Sequence, residues 1–459
     1  MVSMPTTKAH KPAWGFIVVQ HPDELKSRNT RRKIHQHVRK DIWQRKGLRV
    51  KADLEDHSTA TEPQKPSPWS GSSLSLPIEK RAQQLRSFLV RRNSAFCMKV
   101  RELCFSLALF DDGTYHFALA EMALHEKPTA TYTLPHTEND VSLRHYSHAI
   151  TDLNQRMLMG HGYQDTSHGL LGVILGLASY DVSVGNTDRW QMHMAGLKFL
   201  LDKRGGLEAY PSLYFKLGLL WTDTTGCLVV DQAPTFHIPL DLMQPYLNPI
   251  SNPLLDRTLL NLRSLDPELD DIASMLELMT GLAESFVQQA KHACEENEDH
   301  GYAVYCVTRA RTSYLLLQVE RTTRDMLLNE AAPQAVVLRE TVRLAALLFL
   351  LRLVGFTPGT VPRHANRLVE LLEYHEARWM GFEELYLWVL AVAAVMLEKS
   401  QDRQRYLAHR IGDVLFQLDL TWSELPAMLS QFAWVHGLLQ DRLLELRSCY
   451  YRDDNVRHL

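Results

Sequence analysis

The sequence predicts an all-α protein, and three observations lead there. From about residue 79 nearly to the end, apolar residues recur at three- and four-residue spacing. Strand-type alternation is weak throughout. Turn clusters, "HIPLDLMQPYLNPISNP" (237–253) and "GFTPGTVP" (355–362), punctuate the periodic segments. Hydrophobic residues make up 45% of the 459, enough for a large buried core. No fixed repeat period is visible, which argues against a strict solenoid.

Residues 1–15 are expected to be disordered. "WGFIVVQ" (14–20) is a short apolar patch leading into "HPDELKS", which suits a helix entry: Pro22 lies near the first turn, and Asp23 and Glu24 sit where the helix N-terminus favours acids. The segment that follows is strongly basic. Between Lys26 and Lys51 stand eleven Lys or Arg against one acid, Asp41. The local charge of +10 leaves −13 for the rest of a chain whose formal net charge is −3. Ile34, Val38 and Ile42 lie four apart and share one stripe of a helix, with the cations on its remaining surface. Such asymmetry points to a partner for the basic segment: nucleic acid, an acidic protein surface or a nuclear import receptor. The candidate contact residues are Lys26, Arg28, Arg31, Arg32, Lys33, Arg39, Lys40, Arg45 and Lys46. Residues 52–78 are rich in Ser, Pro and Thr and are expected to form a linker before one helical domain over 79–459.

Within that domain the expected helices follow in order. "EKRAQQLRSFLVRRNSAFCMKVRELCFSLALF" comes first, and "DTSHGLLGVILGLASYDVSVG" with "TDRWQMHMAGLKFLLDKRGG" forms a helix–loop–helix. The glycines of "RGG" (204–206) suit a left-handed C-cap and a tight turn. They lack the third glycine and the preceding strand of a phosphate cradle. In "LGLLWTDTTGCLVV", Trp221 is expected to end one helix as a core residue, with Thr222 or Asp223 capping the next. Further helices are expected in "PELDDIASMLELMTGLAESFVQQAKHACEEN", "AVYCVTRARTSYLLLQVERTTRDMLL", "AAPQAVVLRETVRLAALLFLLRLVGF", "ELYLWVLAVAAVMLEKS" and "RQRYLAHRIGDVLFQL". Leu385–Leu397 is the longest nearly uncharged run, short of the roughly 20 residues of a membrane span, and reads as a buried helix. "MVSMPTTKAHKPAWG" has no apolar core of the kind a secretory signal needs, so neither secretion nor membrane insertion is expected.

The chain carries no GxxxxGK[ST], HExxH, GxSxG or GxGxxG. The six cysteines, at 97, 104, 227, 294, 306 and 449, form no CxxC, so they are expected to be core thiols rather than zinc ligands. Among 21 histidines, none of the spacings converges three ligands: His145 and His148 are one turn apart, His161 and His168 flank "GYQDTS", and His193 lies on a helical stripe with Leu197 and Leu200. "EENEDH" (295–300) lacks the glycine turn of a calcium loop and reads as a solvated loop. No cofactor, metal or catalytic residue is expected.

Four segments, in order, carry a family likeness. "FIVVQHPDELKSRNTRRKIHQHVRKDIWQRK" resembles the N-terminal motif of fungal transcription-factor-like proteins. "HMAGLKFLLDKRGGLEAY", "LLWTDTTGCLVVDQAPTF" and "LTWSELPAMLSQFAWVHGLL" are similar to that family's later elements. The resemblance implies an all-helical regulatory domain akin to the middle region of fungal zinc-cluster transcription factors. It also implies a nuclear location and protein contacts, with transcriptional co-regulator proteins as the expected partners and a homodimer left open. No enzymatic activity is expected, because nothing in the sequence names a catalytic group. The sequence departs from the better-known members in lacking the closely spaced cysteines of a zinc binuclear cluster. That puts sequence-specific DNA binding in doubt and leaves the basic segment as a nuclear import signal, a nonspecific contact with DNA phosphates, or both. The competing readings are a helical interaction scaffold without DNA binding and a helical domain that binds a small molecule in an apolar pocket.

Overall fold

The structure, a computed structural model, describes residues 76–90, 98–124, 133–158, 167–239, 242, 252–292, 298–329, 331–398 and 401–457. The basic segment 26–51 and its nine candidate contacts lie outside the described residues, as do the expected boundaries at residues 15 and 51. Among the described residues the chain folds into seventeen α-helices and no strand, as the periodicity predicts. In order they are α1 (Ile78–Val90), α2 (Met98–Phe110), α3 (Asp112–Leu124), α4 (Asp140–Leu158), α5 (His168–Ser183) and α6 (Thr187–Lys203). There follow α7 (Leu213–Val230), α8 (Pro253–Leu265), α9 (Asp270–His292), α10 (Glu298–Gln318), α11 (Arg324–Leu327) and α12 (Gln334–Val354). The last are α13 (Pro362–Tyr374), α14 (Glu383–Met396), α15 (Gln401–Gln417), α16 (Leu425–Leu429) and α17 (His436–Arg457).

Local chemistry starts and stops these helices where capping rules place it. Ser167, Asn186 and Ser212 accept the third-residue amides of α5, α6 and α7 (Leu170, Arg189 and Phe215). Asn252 caps α8 with Pro253 at its first turn. Past α6, Gly205 and Gly206 adopt φ of 96° and 83°, the left-handed turn expected of "RGG".

The core is one continuous cluster running from Val100 to Leu446. Its axis is a pair of helices buried on every side, α12 and α14. Every residue from Leu385 to Met396 is buried, which confirms the buried-helix reading of that apolar run. Trp388 sits between them: its ring packs on Phe349 of α12 and its Nε1 donates to the Ala433 carbonyl at 2.8 Å. A small satellite cluster of Leu85, Ala108, Tyr115 and Ala118 joins α1, α2 and α3. Leu134, before α4, pairs with Phe356, after α12, through an isolated parallel bridge. No described helix is long and apolar enough to cross a membrane.

Two expectations need correction. Trp221 is a core residue, but no helix ends there: α7 runs unbroken through Trp221, Thr222 and Asp223. The polar side chains are satisfied inside the helix, which removes the reason to break it. Thr222 and Thr224 hydroxyls donate back to the Gly218 and Leu220 carbonyls at 2.9 and 2.6 Å. The Asp223 carboxylate accepts the amide of Phe236 at 2.9 Å, tying down the strap that follows α7. In "EENEDH", residues 298–300 open α10 rather than continue a loop, while 295–297 lie outside the described residues.

Candidate functional site

The helical half from α3 to α6 buries a compact polar assembly. Asp181 on α5 and His193 and Arg189 on α6 point inward beneath Tyr146 of α4. Tyr146 donates to Asp181 Oδ2 at 3.2 Å and meets His193 Nε2 at 3.1 Å. Arg189 forms ion pairs with Asp181 (2.7 Å) and Glu138 (2.8 Å), and its guanidinium lies 4.5 Å from the Tyr146 ring centre. Beside it Tyr180 donates to Ser142 at 3.1 Å. Burial pushes the Asp181 carboxyl up to about 7, against the pull of Arg189. Burial and the Arg189 charge push His193 down to about 3, so its imidazole is neutral. His193 is thus a core histidine as its stripe predicts, although its Nδ1 is buried without a partner. A Tyr–His–Asp set has acid–base groups, but all three are sealed inside the bundle. Their geometry holds α4, α5 and α6 together.

A second assembly sits at the other end of α7. The helix terminates in left-handed geometry at Asp231 (φ 53°), which aims its carboxylate at α12. Arg343 grips it with two parallel bonds, Nη1 to Oδ1 at 2.8 Å and Nη2 to Oδ2 at 2.9 Å. The same guanidinium bonds Glu340 through Nε at 2.9 Å and Nη2 at 3.0 Å. Arg321 adds a second cation to Asp231 (3.0 Å), and Arg367 of α13 adds one to Glu340 (2.8 Å). Burial alone would raise Asp231; the Arg343 hydrogen bonds and charge, with Arg321, overcome it and hold the carboxyl at about 2. Four helices, α7, α10, α12 and α13, are joined through this cluster or the turns that flank it.

Between α3 and α4 three imidazoles meet. His116 Nδ1 lies 3.1 Å from His145 Nδ1, and its ring stacks on that of His148 at 4.8 Å between centres. The one-turn spacing of His145 and His148 was legible; the arrival of His116 from another helix was not. Among the described residues no group of three His, Cys, Asp or Glu is placed to hold a metal ion. Burial, then the neighbouring His148, His145 and Arg81, push His116 down to about 4. In the unfolded chain it titrates near 6.5, so acid favours unfolding: stability due to His116 is complete above about pH 6.5 and falls as pH drops towards 4. The wild type should therefore lose roughly 1–2 kcal/mol more than His116→Gln between pH 6.5 and 4.5. Urea denaturation across that range measures it, and parallel pH profiles would remove His116 as the cause.

The remaining histidine and cysteine expectations resolve simply. His168 meets the Tyr210 hydroxyl, and His161 lies outside the described residues. Cys227 and Cys306 are buried and Cys104 and Cys449 half-buried, while Cys97 and Cys294 lie outside the described residues. An open surface groove of about 300 Å³ lies between α8 and the start of α14, and its Arg257 and Glu384 already pair with each other.

A family model described as "Fungal specific transcription factor domain" matches residues 88–417, more than half of the chain. Neither a curated protein nor a solved structure matches it. The matched span runs from within α1 to the end of α15 and takes in both buried charge assemblies. With an all-helical fold and a match of that extent, the chain belongs to the fungal-specific transcription factor domain family, whose role is transcription regulation rather than enzymatic catalysis.

Proposed function

We propose that this protein is a nuclear, non-enzymatic regulator of transcription whose helical domain works through co-regulator proteins. Its basic segment supplies nuclear import and sequence-independent contact with DNA. The family match over residues 88–417 supports the regulatory part. The observation that carries the rest is the concentration of eleven Lys and Arg against one acid between Lys26 and Lys51 in a chain that is otherwise acidic. Those side chains neutralise phosphates without reading bases, and the cysteine spacing offers no zinc cluster to add base readout.

Comparing chromatin association of the full chain with that of a deletion of residues 1–50 tests the segment's role directly; equal retention would dismiss it. A sharper measurement neutralises Arg31, Arg32 and Lys33 together. The logarithm of duplex affinity falls with the logarithm of salt by roughly 0.9 per phosphate neutralised. The triple change should flatten that slope by up to about 2.7 and weaken two unrelated duplexes equally. An unchanged slope would leave the segment as an import signal only. A loss confined to one duplex would establish base readout instead.

A further inference from the structure

Negative charge is as unevenly placed in this chain as positive charge. Residues 253–300 carry eleven Asp or Glu against three Lys or Arg, a net charge of −8. That is more than half of the −13 that balances the basic segment. On α9 the acids fall in register. Asp270, Glu277 and Glu284 stand seven apart, close to two turns each, and all three are exposed on one stripe. Glu268, in the short turn between α8 and α9, is exposed as well. Asp270 meets Arg263 of α8 at 2.7 Å. Among the described residues no cation pairs with Glu268, Glu277 or Glu284.

The same side of the domain exposes apolar surface. Leu260 is 64% exposed and Leu265 40%, on either side of Arg263 in the chain. Leu260 lies three residues before Arg263, on the face of α8 from which that guanidinium reaches Asp270. Apolar surface rimmed by unpaired acids is complementary to a partner whose apolar residues stand among cations. The chain itself contains such a partner. Between Lys26 and Lys51, Ile34, Val38 and Ile42 are interspersed with eleven Lys or Arg. Phosphate contact would use those cations and leave the three apolar side chains without a surface. Reach is no obstacle. The 26 residues from 52 to 77 can span up to roughly 90 Å, against a radius of gyration of about 22 Å for a domain of this size. A tether of that length keeps the two surfaces at an effective concentration of about millimolar, so contacts that are weak singly suffice.

We propose that the exposed face of α8 and α9 is the docking surface for the chain's own basic segment, Lys26–Lys51. Glu268, Asp270, Glu277 and Glu284 meet its cations, and Leu260 and Leu265 receive its apolar side chains. DNA phosphates and the acids of α9 then compete for the same Lys and Arg, so docking lowers the affinity of the full chain for DNA. Only that last step rests on the reading of the segment as a DNA contact; the docking itself does not.

The test uses the purified full chain. Zero-length carbodiimide cross-linking at low salt, read by mass spectrometry, should join Lys26, Lys33, Lys40, Lys46 or Lys51 to Glu268, Asp270, Glu277 or Glu284. Salt at about 0.5 M should abolish these links, because the acids are exposed and screened. In a mixture of isotope-labelled and unlabelled chains the links should stay within one chain. No link to the four acids at low salt would overturn the proposal. So would links mainly between labelled and unlabelled chains, which would place the segment on a second copy. The combined change Glu268→Gln, Glu277→Gln and Glu284→Gln breaks no ion pair among the described residues and should leave Tm unchanged. It should raise the affinity for a duplex of arbitrary sequence at least about threefold at ~50 mM salt. An unchanged affinity would overturn the proposal. Should the wild type bind no duplex, the reading of the segment as a DNA contact fails, and the cross-links alone decide the docking.

Discussion

Replacing Arg343 with methionine is expected to cost about 3–5 kcal/mol of folding stability. Its guanidinium is completely buried and is the only group bonded to both Asp231 and Glu340 among the described residues. Methionine fills a similar volume, so the loss is not one of packing. It is the cost of leaving two carboxylates in the interior, one of them, Glu340, wholly buried. Arg321 and Arg367 remain, but both are partly solvent-exposed and each reaches one acid only. A triple variant, Asp231→Asn, Glu340→Gln and Arg343→Met, removes the charges with the cation and should recover most of the loss. Urea denaturation of the single and triple variants at pH 7 measures both. Equal losses would mean that the cluster acts through shape rather than charge. Acid gives an independent readout: Asp231 is held at about 2, below its unfolded value of 3.8. Its contribution is therefore present above pH 3.8 and lost as pH falls through 2, and that acid limb should be missing in the triple variant.

These assemblies mark the boundary of what the sequence could reveal. Helical spacing, buried runs and turn residues are local, and they located α5, α6, α12, α14 and the "RGG" turn. The misread element, Trp221–Asp223, fails for a related reason: "WTDTTG" is poor in helix formers, and only distant contacts show why the helix continues. The Asp223 carboxylate is used by Phe236, thirteen residues on. Asp231 and Arg343 are 112 residues apart, and Tyr146 and His193 are 47 apart. Nothing in either local pattern names its partner. Arg309 stands in "VTRARTS", where it resembles any helical arginine; only the fold brings it to Trp221 and Thr225 of α7. The basic segment is the opposite case, since its argument rests on charge density alone and needs no fold.

Gly226→Ala is expected to destabilise the protein by about 1–3 kcal/mol, although helix propensity alone favours alanine by about 1 kcal/mol. Gly226 lies inside α7, and a Cβ there would overlap the indole of Trp190, a fully buried side chain of α6. The ring has no free direction to retreat in a close-packed core, so α6 and α7 must separate or Trp190 must leave its rotamer. The same substitution at Gly437 provides the contrast. That residue is exposed near the start of α17, and a Cβ on it meets nothing within 4 Å. There the propensity gain should survive, as neutral to about 1 kcal/mol of stabilisation. Opposite signs at the two glycines, read from thermal or urea unfolding, are what direct contact between Trp190 and the α7 backbone requires. A stabilising change at Gly226 would show that Trp190 does not seat against that backbone. The packing of α6 on α7, which carries His193 and Arg189 to Asp181 on one side and Trp221 to Arg309 on the other, would then have to be redrawn.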